Sequence, residues 1–142
     1  MNQKTILFLC TGNSCRSQMA EAIVNARYPE WKAYSAGTRP AGYVHELAIE
    51  VLGEIGISHS GQSKYIDQLP TKDFDVVVTV CDSAAEECPV WPGKAGRRVH
   101  HGFVDPAKAD GTLEERKQAF RSVRDEMLDV LPKILDRRQV RK

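Results

Sequence analysis

The chain contains two short runs of consecutive apolar residues. They span Thr5–Leu9 and Asp75–Val80, and the second is rich in β-branched valines. Continuous rather than alternating apolar character is typical of strands that are covered on both faces, as in a parallel sheet. Weaker strand patterns lie at Lys32–Ser35 and Arg97–Gly102. The pattern therefore predicts a parallel sheet with flanking helices.

Two segments between these runs repeat apolar residues at helical spacing. The first predicted helix spans Ser17–Tyr28 and stops at Pro29. The second spans Val44–Ile55 and ends at Gly56. Alternating strands and helices predict a single-domain α/β sandwich with right-handed connections. In such sheets, functional sites gather at the carboxyl ends of the strands.

A third predicted helix lies near the end of the chain. It opens at Thr112 and Glu115, which have the spacing of a capping box, and its apolar stripe continues to Ile134. Pro132 predicts a kink or an end within it. Residues 136–142 hold four basic side chains and one acid. We therefore divide the chain into a domain at 1–135 and a solvated basic tail at 136–142.

Composition narrows the possible functions. A chain of 142 residues with 42% hydrophobic and 27% charged residues has the make-up of one globular domain. Lys and Arg number 20 against 19 Asp and Glu, so the net charge favours neither nucleic acid nor a membrane surface as partner. No apolar run approaches the ~18 residues of a membrane span, and no export signal is visible. We expect a cytoplasmic monomer.

The four cysteines, Cys10, Cys15, Cys81 and Cys88, are few enough to be considered individually. A chain of this length without an export signal can rely on its apolar core, so reactive thiols are favoured over structural disulfides. Zinc binding is the weaker alternative. Neither cysteine pair has the Cys-x2-Cys spacing of zinc sites, although two histidines follow at 100 and 101.

A Cys-x5-Arg segment, Cys10–Arg16, lies between the first strand and the first helix. Its small and turn-forming residues allow successive backbone N–H groups to point inward and bind an anion. Arg16 can grip two oxygens of a tetrahedral oxyanion, and the helix N-terminus adds its positive end. The sequence therefore predicts an oxyanion site. Its predicted members are Thr11, Gly12, Asn13, Ser14, Cys15, Arg16 and Ser17.

Cys10 is the predicted nucleophile of this loop. A helix N-terminus and the neighbouring Arg16 favour the thiolate form of a cysteine, and Ser17 is placed to donate a hydrogen bond to the sulfur. Asn13 is expected to brace the loop through its amide. We assign Cys15 to packing rather than to catalysis. A small buried cysteine beside a surface arginine is the alternative for Cys10.

The segment Cys10–Glu21 resembles the signature of the low-molecular-weight phosphotyrosine phosphatase fold, and in particular its thioredoxin-coupled arsenate reductase branch. The resemblance continues through Val78–Cys81, Cys88–Pro89 and Asp105–Pro106 and covers nearly the whole chain short of its tail. It implies a three-layer sandwich with a four-stranded parallel sheet, in which the Cys10 strand lies next to the Cys81 strand. It also implies reduction of arsenate to arsenite, with external thioredoxin as reductant and no bound cofactor.

The resemblance places three cysteines in one relay. The ends of neighbouring strands lie ~5 Å apart, within the Cα separation of a disulfide, so Cys10 and Cys81 can meet. In the expected mechanism Cys10 attacks arsenic while Asp105 acts as general acid. Cys81 then attacks Cys10 and releases arsenite. Cys88 attacks Cys81, and thioredoxin reduces the resulting disulfide by exchange. Alternatively, Asp105 only forms a turn before Pro106 and takes no part in catalysis.

The six residues between Cys81 and Cys88 carry a candidate N-cap, alanines and early acids, and they predict a short helix. Seven residues of helix separate the two Cα atoms by ~10.5 Å, too far for a disulfide. We therefore predict a redox switch, helical when the thiols are reduced and looped out when they are joined. Two buried cysteines in an ordinary helix are the alternative.

Two other functions are compatible with the loop. A protein tyrosine phosphatase of the same fold would use only Cys10, Arg16 and Asp105. However, Ala107 follows Asp105–Pro106 where that branch typically has aromatic residues, and Cys88 would have no task. The other alternative is a binding module that senses oxyanions or redox state without turnover.

Some reductases of this group bind potassium near the loop, through positions similar to Asn13, Glu21 and Ser35 and a downstream acid. Here the downstream segment reads Gln62-Ser63-Lys64. Two interpretations of Lys64 are open: its ammonium group takes the place of the ion, or it is a solvated surface residue. We do not predict a required metal ion.

Overall fold

One parallel sheet organises the computed structural model, which describes residues 3–82 and 88–136. Its strands are β1 (Lys4–Cys10), β2 (Trp31–Gly37), β3 (Asp73–Thr79) and β4 (Lys94–His100). They lie side by side in the order β2-β1-β3-β4. The helices are α1 (Arg16–Arg27), α2 (Glu46–Gly53) and α3 (Leu113–Leu135), and 3₁₀ turns lie at Ile66–Gln68 and Pro106–Lys108. The predicted α/β fold with a four-stranded parallel sheet is confirmed.

Two apolar cores lie on opposite faces of this sheet. The larger core joins all three α-helices to alternate strand residues such as Phe8 and Val78. The smaller core joins the intervening residues, such as Leu9, to Trp91 and to the 3₁₀ turn at Ile66. Because β1 is covered on both faces, its apolar residues run without alternation. The three layers are the helices, the sheet, and a thinner second cover.

The parallel pairing of β1 with β3 decides where the cysteines meet. Leu9 of β1 lies opposite Thr79 of β3, and the Val80 N–H donates to the Leu9 carbonyl at 3.1 Å. The residues that follow, Cys10 and Cys81, therefore leave the sheet at the same edge. The predicted adjacency of these two strands is confirmed.

The second helix and the fourth strand differ in extent from the predicted elements. α2 ends at Gly53 because the next residues form a turn, in which Gly56 has a φ of +82° and the Ile57 N–H bonds to the Leu52 carbonyl. β4 begins at Lys94, three residues before its predicted start. It is an edge strand whose residues alternate in exposure, so pairing with β3, and not an apolar run, defines its extent.

The capping box predicted at the start of α3 is present. Thr112 Oγ1 accepts from the Glu115 N–H at 3.1 Å, and Glu115 Oε1 accepts from the Thr112 N–H at 2.9 Å. The helix continues through Pro132 to Leu135, so an end at Pro132 is wrong. Burial of Ile134 and Leu135 offsets the one hydrogen bond that proline removes. The predicted tail beyond residue 136 lies outside the described residues. Neither α3 nor any other described helix is long and apolar enough to cross a membrane.

Glu54, at the end of α2, links this helix to α3. Its carboxylate accepts from Arg121 Nε at 2.9 Å and Arg121 Nη2 at 2.8 Å, and from Arg124 Nη1 at 2.9 Å. Arg124 Nη1 also donates to the Val51 carbonyl at 2.9 Å. The hydrogen bonds from Arg121, followed by the one from Arg124, lower the pKa of Glu54 from 4.5 to about 2. The charged form of Glu54 therefore stabilises the packing of α2 on α3.

The effect of this network on stability is expected to depend on pH. A carboxyl whose pKa is depressed by folding stabilises the fold above its ordinary pKa, and this contribution is lost as the pH falls through its folded value. We expect Glu54→Gln to lower the free energy of unfolding near neutral pH. The difference from wild type should shrink as the pH falls from about 4.5 to about 2. Urea unfolding across this range measures it. A difference independent of pH would contradict the assigned role.

Candidate active site

The loop between β1 and α1 is held by backbone hydrogen bonds to the segment that follows β2. Three loop carbonyls accept from this segment, each at 2.9 Å: Thr11 from Arg39 N, Gly12 from Ala41 N, and Ser14 from His45 N. In a planar trans peptide the N–H points away from the carbonyl of the same unit. The amide groups of residues 12, 13 and 15 therefore face the other side, where an anion would bind.

Gly37, the last residue of β2, allows this close approach. A side chain there would collide with the Thr11 and Cys10 carbonyls. A glycine is therefore required at the position where the end of β2 meets the loop.

Asn13 braces the loop from inside. It is fully buried and adopts a left-handed backbone with φ of +50°, a conformation that asparagine tolerates better than most residues. Its Oδ1 accepts from Gln18 Nε2 at 3.0 Å and from the Lys64 N–H at 2.8 Å. Its Nδ2 donates to Ser17 Oγ at 2.8 Å. The side-chain amide thus compensates for the strain of the turn.

Cys10 lies at the base of the loop and is 2% exposed. Its Sγ is 3.0 Å from Ser17 Oγ and accepts from the Asn13 N–H at 3.3 Å. Because Ser17 Oγ already accepts from the Asn13 amide, its hydroxyl proton is available to the sulfur. Two hydrogen-bond donors are therefore directed at the sulfur of the predicted nucleophile.

Arg16 and Asp105 form a second pair at this site. The Arg16 guanidinium is buried, donates to the Phe103 carbonyl at 3.2 Å, and lies 3.8 Å from Asp105 Oδ2. Asp105 also accepts from the Ala107 N–H at 3.0 Å, which fixes the carboxylate at the start of a 3₁₀ turn. The carboxyl predicted to act as general acid therefore lies beside the arginine predicted to grip the oxyanion.

Cys15 is buried and lines the cleft as Cys10 does, but its hydrogen-bond partners differ. Burial raises the pKa of the Cys15 thiol to about 12, and a hydrogen bond from Ser14 offsets only part of this effect. The thiol therefore stays protonated and packs in the larger core. This geometry fits the packing role expected for Cys15.

The loop forms the floor of a cleft of about 620 Å³. Cys88 lines this cleft, and its disulfide partner Cys81 is fully buried beneath it. The Cα atoms of Cys81 and Cys88 are 5.8 Å apart, far less than the ~10.5 Å of a seven-residue helix. The short helix predicted between them falls on residues 83–87, outside the described residues. The lining residues are Cys10, Thr11, Gly12, Asn13, Ser14, Cys15, Arg16, Thr38, Arg39, Cys88, Pro89, Asp105 and Lys108.

Gln18 and His59 extend the bracing of the loop, and the sequence analysis missed both. Gln18 Nε2 donates to Asn13 and to the Gln62 carbonyl, which leaves Gln18 Oε1 as the acceptor of His59 Nε2 at 2.8 Å. His59 Nε2 therefore carries the proton, and burial lowers the pKa of this histidine. The signal available for Gln18 was a glutamine beside the apolar residues Met19 and Ala20 at the start of the predicted helix. His59 had none.

Lys64 lies among the oxygens that were considered for potassium. Its Nζ donates to the Ser35 carbonyl at 3.2 Å and to the Gln62 carbonyl at 3.0 Å, and lies 4.0 Å from Glu21 Oε1. Glu21 Oε1 also accepts from Ser35 Oγ at 2.6 Å. An ammonium group thus already satisfies these oxygens, so the residues present do not fit a bound potassium ion.

Comparison with known proteins agrees with this site. The family model described as low molecular weight phosphotyrosine protein phosphatase matches residues 5–142. The chain belongs to this family. The family is described as phosphatases, so the loop from Cys10 to Arg16 and the nearby Asp105 belong to a phosphatase-like chain.

Similar members of the family carry more than one activity. The arsenate reductase of Halalkalibacterium halodurans is 52% identical over 130 residues, which cover 89% of this chain and 91% of that protein. The crystal structure of arsenate reductase from Archaeoglobus fulgidus is 31% identical with a TM-score of 0.67, covering 89% of this chain and 98% of that one. A low molecular weight protein tyrosine phosphatase from T. tengcongensis is 28% identical with a TM-score of 0.67, covering 92% and 99%.

The two free cysteines of this family member are expected to differ sharply in reactivity. With the Cys81–Cys88 disulfide intact, iodoacetamide near neutral pH should label Cys10 at least ~100 times faster than Cys15, because the raised pKa keeps Cys15 protonated. Peptide mass spectrometry after brief exposure measures both sites. Cys10→Ser is the control and should abolish rapid labelling. Equal labelling of the two thiols would contradict the raised pKa of Cys15.

Proposed function

We propose that this protein reduces arsenate to arsenite through Cys10, Cys81 and Cys88. The observation that carries the proposal is the Cys81–Cys88 disulfide, whose Cys88 lines the same cleft as Cys10. A hydrolytic phosphatase has no step that produces a disulfide, whereas a reductase must place two oxidising equivalents somewhere. The 52% identity to an arsenate reductase supports the same substrate.

The first step joins sulfur to arsenic. The oxyanion lies against the inward N–H groups and Arg16, and the Cys10 thiolate attacks arsenic(V). A sulfur–arsenic bond forms and one arsenic–oxygen bond breaks. Asp105, beside Arg16, donates a proton so that the departing oxygen leaves as water.

The next two steps move the electrons through sulfur. Cys81 attacks Cys10 Sγ, a Cys10–Cys81 disulfide forms, and the electron pair of the sulfur–arsenic bond remains on arsenic, which leaves as arsenite. Cys88 then attacks Cys81 Sγ and releases the Cys10 thiolate. The Cys81–Cys88 disulfide of the structure corresponds to the end of this sequence. Arsenic gains two electrons, and two thiols lose them.

An external dithiol must return these two electrons. Cys81 is fully buried, and Cys88 is the partly exposed sulfur of the pair, so exchange begins at Cys88. Thioredoxin is the proposed reductant, which places the enzyme in a reducing compartment such as the cytoplasm. No bound cofactor is needed because the cysteines carry the electrons. One chain supplies every residue of the relay, so we propose a monomer.

A tyrosine phosphatase and a non-catalytic sensor are the competing functions. The phosphatase would use the same Cys10, Arg16 and Asp105, and a sensor would use the loop or the disulfide without turnover. Neither requires that Cys88 and Cys10 line one cleft, so reduction of arsenate accounts for more of the geometry.

Replacement of Cys88 separates the three functions. Cys88→Ser should reduce steady-state arsenate reduction, coupled to thioredoxin and its reductase, by at least ~100-fold, because the relay stops at the Cys10–Cys81 disulfide. A single burst of one arsenite per protein should remain. That burst is the control for an intact loop, and peptide mapping should find Cys10 joined to Cys81. Unchanged steady-state turnover would refute the relay.

We also propose that the Lys64 ammonium supplies the positive charge at the position considered for a potassium ion. Its contacts with Ser35 and Gln62, and its proximity to Glu21, support this role. The backbone N–H of Lys64 donates to Asn13 Oδ1. The same residue therefore places its ammonium group in the expected cation position and braces the loop through its backbone.

Wild-type activity should not change when potassium replaces a bulky organic cation in the assay. Lys64→Asp should lower activity several-fold in the organic cation and recover with potassium, because a carboxylate rebuilds a site for a hard cation. Lys72→Asp, a change of the same charge at an exposed lysine paired with Asp67, is the matched control and should show no potassium response. Potassium dependence of the wild type would overturn the assignment.

A further inference from the structure

Two exposed cations lie at the mouth of the cleft, and the relay does not use them. Arg39 and Lys108 line the cleft together with Cys10, and both are exposed where Arg16 is buried. We propose that Arg39 and Lys108 form a cationic rim that captures the oxyanion substrate before it enters the loop. This rests on the proposed function in so far as the substrate is arsenate.

The backbone holds both rim residues in fixed positions. The Arg39 N–H donates to the Thr11 carbonyl at 2.9 Å, at the point where Gly37 lets β2 approach the loop. Lys108 ends the 3₁₀ turn that Asp105 opens, and its N–H donates to the Asp105 carbonyl at 3.2 Å. One cation is thus attached to the loop and the other to the general acid.

Arg16 and Asp105, the charged pair inside the cleft, contribute little to the attraction of a distant anion as long as Asp105 is ionised. Asp105 lies 3.8 Å from Arg16, so before it takes up the proton that it donates in the reaction, its charge offsets that of the arginine. The described lining contains three cations and one acid. The excess positive charge therefore lies on Arg39 and Lys108, where a cleft with protein walls focuses the field on an approaching anion.

The cationic rim is expected to change the rate at which the oxyanion enters the cleft and not the rate of the reaction at Cys10. The two side chains are exposed, and salt screens their attraction. They raise the rate of entry of any oxyanion of equal charge, arsenate and phosphate alike. Discrimination between the two is left to the sulfur chemistry, since only arsenic accepts the electron pair from the relay.

Alkylation of Cys10 tests the rim without arsenate. With the disulfide intact, Cys10 is the reactive thiol, since Cys15 stays protonated. The ratio of its rates with iodoacetate, an anion, and with iodoacetamide, which is neutral, reports the field at the cleft and is independent of the thiolate fraction. In low salt the ratio should fall about tenfold in Arg39→Ser/Lys108→Ser. High salt should bring the wild-type ratio close to that of the variant.

Lys94→Ser/Lys133→Ser is the matched control, with the same loss of two charges. Lys94 begins β4 and Lys133 lies in the last turn of α3, at the edge of the sheet opposite the cleft. In this control the ratio of the iodoacetate rate to the iodoacetamide rate should equal that of the wild type. A ratio unchanged in the rim variant, or lowered equally in the control, would overturn the proposal.

Steady-state reduction of arsenate gives the second measurement. In the rim variant KM should rise about tenfold with kcat within about twofold, and the inhibition constant of phosphate should rise with KM. A fall in kcat with unchanged KM would overturn the rim. Another outcome is that the wild type reduces no arsenate while its alkylation ratio still depends on Arg39 and Lys108. In that case the proposed function is wrong, and the rim still attracts oxyanions to the cleft.

Discussion

The hydrogen bonds between the loop carbonyls and the segment after β2 are the constraint on which the rest of the site depends. They turn the Thr11, Gly12 and Ser14 carbonyls outward, so the amide groups of the loop face the cleft. Gly37 permits this contact, and the buried amide of Asn13 holds the turn that it requires. In this arrangement Cys10 Sγ lies within hydrogen-bond distance of Ser17 Oγ and the Asn13 N–H. A nucleophile, an anion cradle and the attachment of Arg39 all follow from one backbone arrangement.

Parallel pairing of β1 with β3 adds the redox chemistry. It brings Cys10 and Cys81 to one edge of the sheet, although 70 residues separate them in the chain. Cys81 is buried and Cys88 lines the cleft, so in the proposed relay the oxidising equivalents pass from the loop to the more accessible sulfur. The same edge carries Asp105, whose contact with Arg16 joins acid and anion site. Phosphatase chemistry and reductase chemistry thus share one loop and differ in what the neighbouring strand supplies.

Sequence reasoning succeeded where the signal was local. The apolar run of β1, the stripe of α1 and the capping box of α3 each follow from residues within a few positions of one another, and each is present. It failed at β4 and at the end of α2, where pairing with β3 and a turn at Gly56 set the boundaries. It also missed Gln18 and His59, because a hydrogen bond across 41 residues leaves no periodic pattern.

The sequence by itself determined the chemistry available: a cysteine and an arginine with five residues between them, at the junction of a strand and a helix, and three more thiols. Those properties are local, since they depend on side-chain type and on short-range backbone preference. Only the tertiary structure decided which groups meet. It placed Cys88 on the cleft, Lys64 among the oxygens of Ser35, Gln62 and Glu21, and two cations at the rim. The physical reason is that strand order and close loop contacts are set by packing of the whole chain, which no short segment encodes.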